Sequence, residues 1–251
     1  MSNQLVTVAV VTPAFEEWDN LIELAPKVLD VLRTMSPRSE WIVICEPKPP
    51  VDKRRSLEAL SEMITIIERE QESVTFARAL ELGLDSINSE ALYVVTMDPD
   101  QAHNPATIPQ LIQVMSDNNI APDVVIASRY VEGGESENSW SLKTMSLILN
   151  QVFRCAPRSH ARDLSTNFKV FRAEDVRGEK LLSKNFEAVE ELLLVVKHKR
   201  KRDLQIVEIP DRFSLRRHGE SKRKLGQFIG SYLVSLILLN RRIRQRDVKR
   251  K

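Results

Sequence analysis

The feature that most limits what this chain can fold into is its alternation of short, unbroken apolar runs with segments of helical period. Leu5 to Thr12, Trp41 to Cys45, Ile64 to Ile67, Ala91 to Met97 and Asp123 to Ala127 are apolar runs rich in Val and Ile. Between them lie Leu21 to Met35, Arg54 to Met63, Thr75 to Ile87 and Pro105 to Asp117. There apolar residues recur every three or four positions, as at Leu21, Leu24, Val28, Leu32 and Met35. Continuous apolar strands are those buried on both faces, and strands separated by helices pair in parallel. The pattern predicts an α/β domain with a mostly parallel central sheet flanked by helices. Asp19 or Asn20 is the expected cap of the first helix, and Pro26 predicts a kink or a later start.

Composition agrees with a packed core and excludes several classes. Hydrophobic residues make up 42% of the 251 and charged residues 29%, which is not the balance of a disordered chain. No apolar run approaches the ~20 residues of a spanning helix. The start, MSNQLVTVAVV, lacks the basic segment of a secretory signal. Cys45 and Cys155 form no closely spaced pair, so a disulfide framework and a thiolate zinc site are not expected, and the protein is read as reduced and cytoplasmic. The 7 glycines include neither the dinucleotide fingerprint nor the P-loop pattern. His103, His160, His198 and His218 are scattered, and no serine sits in a Gly-x-Ser-x-Gly elbow.

Ligands of open α/β sheets bind at the carboxyl ends of the strands. Asp98 and Asp100 stand directly after the run ending at Met97. Two carboxylates one residue apart at a strand end suit a hard divalent cation that also holds substrate phosphates.

Several separated segments, in order, resemble family-2 glycosyltransferases of the GT-A fold, most closely the dolichol- or polyprenyl-phosphate mannosyltransferase group. They are Pro13-Ala14-Phe15-Glu16-Glu17, Asp98-Pro99-Asp100 with His103 and Pro105, and Ser128-Arg129-Tyr130 followed by Gly133-Gly134 and Trp140-Ser141-Leu142-Lys143. Asp163-Leu164-Ser165 with Phe168, Phe171 and Arg172, and then Gly219-Glu220-Ser221-Lys222, complete the series. The resemblance covers about residues 5 to 225. It implies a nucleotide sugar donor (GDP- or UDP-linked), a divalent cation (Mg or Mn), a polyprenyl phosphate acceptor and transfer with inversion. It also implies roles. Asp98, Asp100 and Arg129 would be catalytic. Pro13, Phe15, Glu17, Glu46 and Asp98 would bind the donor. Arg129, Lys143, Asp163, Ser165, Arg216, Ser221 and Lys222 would bind phosphate or acceptor. Asp100 would hold the metal, with Asp98 and Gln101 as further candidates. A phosphate acceptor is already anionic near neutral pH, so the site must chiefly supply positive charge.

The sequence departs from the family in the donor half. Cys45-Glu46-Pro47-Lys48 stands where the family has Asp-Asp-Gly-Ser, with Glu46 as the replacement carboxylate. Thr75-Phe76-Ala77-Arg78 has no glycine at the turn before the third helix, and the metal motif's Gln or Ser falls on Ala102, with Gln101 shifted by one. Two alternatives therefore stand beside the first reading. One is a saccharide or glycolipid acceptor, for which Asp163 or His103 would be the base. The other is a non-catalytic protein with a degenerate donor site.

The net charge of +2 conceals an asymmetry. Lys197 to Lys251 holds 18 Lys+Arg against 5 Asp+Glu, and the remaining residues hold 19 against 30. The expected organisation is a transferase domain over 1–225 and a basic amphipathic helix or tail over 226–251. Phe228 to Leu239 is apolar and is bounded by basic clusters, as in a helix lying in a membrane interface at the cytoplasmic face. Packing on its own domain or on a second copy, as a homodimer, is the alternative. Few aromatics interleave with the charges, so nucleic acid is not an expected partner.

Overall fold

The computed structural model describes residues 6–71, 75–137, 144, 150–151 and 159–214. Strands β1 (Val8–Pro13), β2 (Glu40–Cys45), β3 (Ile64–Glu68), β4 (Tyr93–Thr96) and β5 (Val124–Ser128) occupy the five predicted runs. They join β7 (Lys169–Arg172) and β8 (Ile206–Pro210) in a seven-stranded sheet of order β3-β2-β1-β4-β7-β5-β8. Strand β7 is antiparallel to both neighbours, and the other pairings are parallel. Two short strands, β6 (Glu135–Ser136) and β9 (Arg212–Phe213), form a separate parallel ribbon.

Helices cover both faces, as continuous apolar strands require. On one face α3 (Phe76–Asp85) and α6 (Ala188–Arg200) bury Leu80, Leu84, Leu192 and Leu193 against Ala9, Val11, Ile42, Ile44, Val94 and Ile126. On the other, α1 (Trp18–Arg33) and α4 (Ile108–Met115) bury Leu21, Leu24, Val28, Ile108 and Leu111 against Val8, Val10, Trp41, Val43, Val95 and Val125. Successive strand residues point to opposite cores, which is the period-two geometry of a strand. Helix α2 (Val51–Glu58) lies on the β2 to β3 connection, and a single turn, α5 (Ala173–Val176), follows β7.

Three local expectations are corrected. Helix α1 starts at Trp18 and runs unbroken through Pro26. Pro26 is exposed, where the carbonyl left without a donor can be hydrated. Neither Asp19 nor Asn20 is its cap; the N-cap is Glu17, whose side chain caps no backbone N–H of the helix. The start is set by tertiary contact instead, because the indole N–H of buried Trp18 donates to Glu46 Oε1 at 2.6 Å. Helix α2 begins at Val51 rather than Arg54, directly after Pro50. The antiparallel β7 was not foreseen at all. The basic helix expected over 226–251 lies outside the described residues.

Helix α3 approaches the sheet through Gly83. A Cβ there would stand 2.4 Å from Val11 Cγ1 and 2.7 Å from Ile44 Cδ1. Gly83→Ala is therefore expected to destabilise the domain by about 1–3 kcal/mol through overpacking. Thermal unfolding should show a fall in Tm of several degrees; an unchanged Tm would mean the helix can slide away at no cost.

Candidate functional site

The carboxyl ends of β1, β2, β3, β4 and β5 lie along one edge of the sheet. Antiparallel β7 brings its amino end to the same edge, since Thr96 pairs with Lys169. The predicted positions Pro13, Phe15, Glu46, Asp98, Asp100, Arg129, Asp163 and Ser165 are carried by this edge or by the loops leaving it.

Arg129 follows β5 and is almost wholly buried. Its Nε donates to Asp163 Oδ2 at 2.7 Å and its Nη2 to Asp163 Oδ1 at 2.6 Å, while its own backbone N–H also reaches Oδ2 at 2.9 Å. Nη2 donates further to Ser165 Oγ at 3.2 Å. The rings of Tyr130 and Phe213 flank the guanidinium, at 5.0 and 5.1 Å from centroid to Cζ. Burial alone would lower the Arg129 pKa, but the charge and hydrogen bonds of Asp163 outweigh it and hold the guanidinium above the ordinary arginine value. Arg129, Asp163 and Ser165, expected separately as phosphate ligands, thus form one buried cluster. The turn that follows needs its glycines: Gly133 has φ +83, and a Cβ on Gly134 would meet Ser128 O at 2.6 Å.

Asp98 and Asp100 leave β4 together. Asp98 Oδ1 accepts from Asn167 Nδ2 at 2.9 Å, and Asp100 Oδ1 accepts from the Ala102 N–H at 3.1 Å. The described residues contain no group of three or more His, Cys, Asp or Glu able to hold a metal ion by themselves. Two hard carboxylates do fit Mg²⁺ or Mn²⁺, which take few protein ligands and are completed by water and substrate phosphates. Gln101, the further candidate ligand, has a left-handed backbone with φ 59. Both of its amide atoms are engaged by α1: Lys27 Nζ donates to Oε1 at 3.0 Å, and Nε2 donates to Glu23 Oε2 at 2.9 Å.

Glu46, the replacement carboxylate, binds the loop after β1. It accepts the Glu16 N–H at 3.0 Å as well as the Trp18 indole. Glu17 accepts from Asn20 Nδ2. Buried Arg69, after β3, donates to the carbonyls of Cys45 and Ala14 at 2.9 and 3.0 Å and lies 5.6 Å from the ring of half-exposed Phe15. The Cys45 thiol is pushed up to about 11, by burial and then by the charge of Glu46.

His103 lies buried between Asp211 and Thr166. Nδ1 is 2.7 Å from Asp211 Oδ2 and Nε2 is 3.2 Å from Thr166 Oγ1. Thr107 Oγ1 donates to the other Asp211 oxygen at 3.0 Å. Lys143, Arg216, Ser221 and Lys222 lie outside the described residues.

Four residues of the site went unnoticed in the sequence: Arg69, Asn150, Asn167 and Lys169. Asn150 Oδ1 accepts the Ser165 N–H at 3.0 Å, and its buried Nδ2 has no partner. Lys169 is fully buried, and its ammonium donates to the Thr166 carbonyl. Burial lowers its pKa to about 8, against the pull of Glu190, Asp163 and Asp98. Its place beside the Phe of the Asp163 to Arg172 segment was the one available signal.

A mostly parallel sheet with two carboxylates after a central strand suits a site for a cation and substrate phosphates. The chain matches Glycosyl transferase family 2 over residues 9–178 and belongs to that family; it is a glycosyltransferase. It is 30% identical over 230 residues to a dolichol-phosphate mannosyltransferase of Pyrococcus furiosus, covering 90% of this chain and 61% of that one, so it spans under two thirds of that relative. An undecaprenyl-phosphate mannosyltransferase of Micrococcus luteus is 26% identical, covering 91% of this chain and 92% of the relative. The fold matches glucosyl-3-phosphoglycerate synthase from Mycobacterium tuberculosis, solved with Mn²⁺, uridine diphosphate and phosphoglyceric acid. That match has a TM-score of 0.65 at 14% identity and covers 93% of this chain and 77% of the synthase.

The buried lysine gives a test of the site's electrostatics. Below pH 8 Lys169 is charged in both folded and unfolded states. Between about 8 and 10.5 the folded protein releases its proton first, so the unfolded chain binds more protons and stability rises with pH. Urea unfolding of wild type and Lys169→Met should diverge over that window, wild type gaining up to about 3 kcal/mol relative to the variant. Cys45 acts in the opposite sense above pH 9 but cancels in the comparison. Parallel curves would show that Lys169 is not desolvated.

Proposed function

We propose that the protein transfers a sugar from a nucleotide sugar to a polyprenyl phosphate, with inversion and with a divalent cation, at a membrane surface. The observation that carries this reading is the state of the two groups offered as a base. Both oxygens of Asp163 are bonded to Arg129, and both ring nitrogens of His103 are engaged by Asp211 and Thr166. A saccharide hydroxyl needs a base to take its proton. A phosphate monoester is already a nucleophilic anion. The names of the relatives from P. furiosus and M. luteus agree with a lipid phosphate acceptor.

In this reading an acceptor phosphate oxygen forms the new bond to the anomeric carbon, and the bond from that carbon to the nucleoside diphosphate breaks. The leaving group departs as the diphosphate. Asp100, with Asp98, would hold the cation, whose chemistry is to neutralise the diphosphate as its charge grows. Related folds solved with Mn²⁺ or with Mg²⁺ and uridine diphosphate are consistent with this. Asp98 would hold the donor's ribose or sugar, or assist the cation. Pro13, Phe15 and the loop tied by Glu46 and Glu17 would shape the nucleotide pocket. The charges of Arg129 and Asp163 offset one another, so Lys143, Arg216 and Lys222, with Ser221, would supply the phosphate clamp. No helix among the described residues is long and apolar enough to cross a membrane, and attachment through the basic segment 226–251 would bring the site to its lipid substrate.

Asp100→Ala tests the chemistry. With a GDP- or UDP-sugar, polyprenyl phosphate and Mn²⁺, the variant should lose about 100-fold or more in transfer while keeping its Tm. Full activity in the presence of chelator would remove the cation from the reading. Transfer to a saccharide but not to the lipid phosphate would replace the acceptor.

A further inference from the structure

The loop from Asp163 to Phe168 is anchored along its length. Asp163 binds Arg129, the Ser165 N–H donates to Asn150, and Thr166 Oγ1 meets His103. The Thr166 carbonyl accepts from Lys169, and the Asn167 carbonyl accepts from Thr96 Oγ1 at 2.6 Å. The Asn167 side chain is different. Its Nδ2 donates to Asp98 Oδ1 at 2.9 Å. Its Oδ1 is buried without a hydrogen-bond partner, in a residue only 4% exposed.

The amide cannot turn to cure this. A carboxylate only accepts, so a flipped Asn167 would set its oxygen against Asp98 and lose the bond it has. Asp98 therefore fixes the orientation, and the unmet acceptor is a consequence. A buried acceptor without a donor is costly, and native proteins leave few of them. The group that satisfies this one must donate. A phosphate brings acceptor oxygens and negative charge beside Asp98, so it is the wrong partner. A hydroxyl, which can donate, fits.

We infer that Asn167 Oδ1 accepts a hydrogen bond from a hydroxyl of the bound nucleotide sugar, which makes Asn167 a specificity residue for the donor. The inference rests on the transferase reading, with Asp98 facing the donor. The hydroxyl belongs either to the transferred sugar or to the ribose, and the two sources are separable.

The experiment is calorimetric titration in Mn²⁺ of wild type, Asn167→Leu and Asn167→Ser. The ligands are UDP, GDP, their sugar conjugates and the corresponding deoxyribose diphosphates. Both variants should lose about 3- to 10-fold in one of two affinity ratios. A fall in the ratio of conjugate to diphosphate places the hydroxyl on the sugar. A fall in the ratio of ribose to deoxyribose ligand places it on the ribose. Asn167→Ser adds no bulk, so the test stands if leucine is not accommodated. Unchanged ratios overturn the inference, whether all ligands weaken together or Mn²⁺ affinity alone falls, because the amide then serves Asp98 or the cation. If wild type binds no nucleotide or nucleotide sugar, the transferase reading itself fails.

Discussion

A buried charge pair holds the candidate site in shape. Taking the Arg129 guanidinium out of water is costly, and leaving it there without a counter-charge would cost several kcal/mol more. Asp163 meets it with both oxygens. Two segments 34 residues apart are thereby forced together: the end of β5 and the loop that enters β7. Glu208 on β8 extends the joint by accepting the N–H groups of Arg162 and Asp163. Through that loop the pair also governs β4, because Asn167 reaches both Thr96 and Asp98. The positions of the two aspartates thus depend on a pair that need never touch a metal.

Loops at the site edge carry a second constraint. Glu16, Lys48 and Gln101 all have left-handed backbones, with φ of 57, 55 and 59. They follow β1, β2 and β4. Such a conformation is disfavoured for a residue with a Cβ, by about 1 kcal/mol or more. In each case a carboxylate compensates nearby. Glu46 accepts the Glu16 N–H and Glu68 the Lys48 N–H, while Glu23 accepts from the Gln101 side-chain Nε2. None of these three left-handed positions is a glycine, and at Glu16 and Lys48 an acidic side chain holds the turn through the backbone N–H. The divergent Cys45-Glu46-Pro47-Lys48 stretch is therefore held in place by Glu46 and Glu68, which fix the loops after β1 and β2.

The sheet was largely legible because β1, β2, β4 and β5 are buried on both faces and, with the edge strand β3, read as plain apolar runs. Strand β7 was not, because it is four residues long and begins with Lys169. A lysine in sequence argues for the surface; only the site's carboxylates and the Thr166 carbonyl make its burial tolerable. The start of α1 was misjudged for a related reason, since the Trp18 indole and Glu46 are 28 residues apart. The site residues were found by motif, one at a time, so each was given a ligand. That Arg129 and Asp163 would choose each other is a fact of pairing, invisible until β5 and β7 are neighbours. Asn167 was missed because its importance lies in the orientation that Asp98 imposes on it.

Charge balance connects these observations to the chain's lopsided composition. In the described site the buried cation of Arg129 is matched by Asp163, and the Lys169 ammonium sits among Asp98, Asp163 and Glu190. Such a centre is rigid but carries little surplus positive charge. Two phosphate groups brought together there would repel each other strongly, since like charges at close range interact strongly in a partly desolvated site. The surplus must come from elsewhere, and the sequence holds it in one place: Lys197 to Lys251 is net +13, and the remainder net −11. On the proposed reading, the charge-matched cradle would fix geometry while basic residues beyond it would supply attraction. On the proposed reading the neighbouring basic residues of 226–251 would also draw the protein to an anionic lipid surface, so phosphate binding and membrane attachment would both weaken as salt is raised.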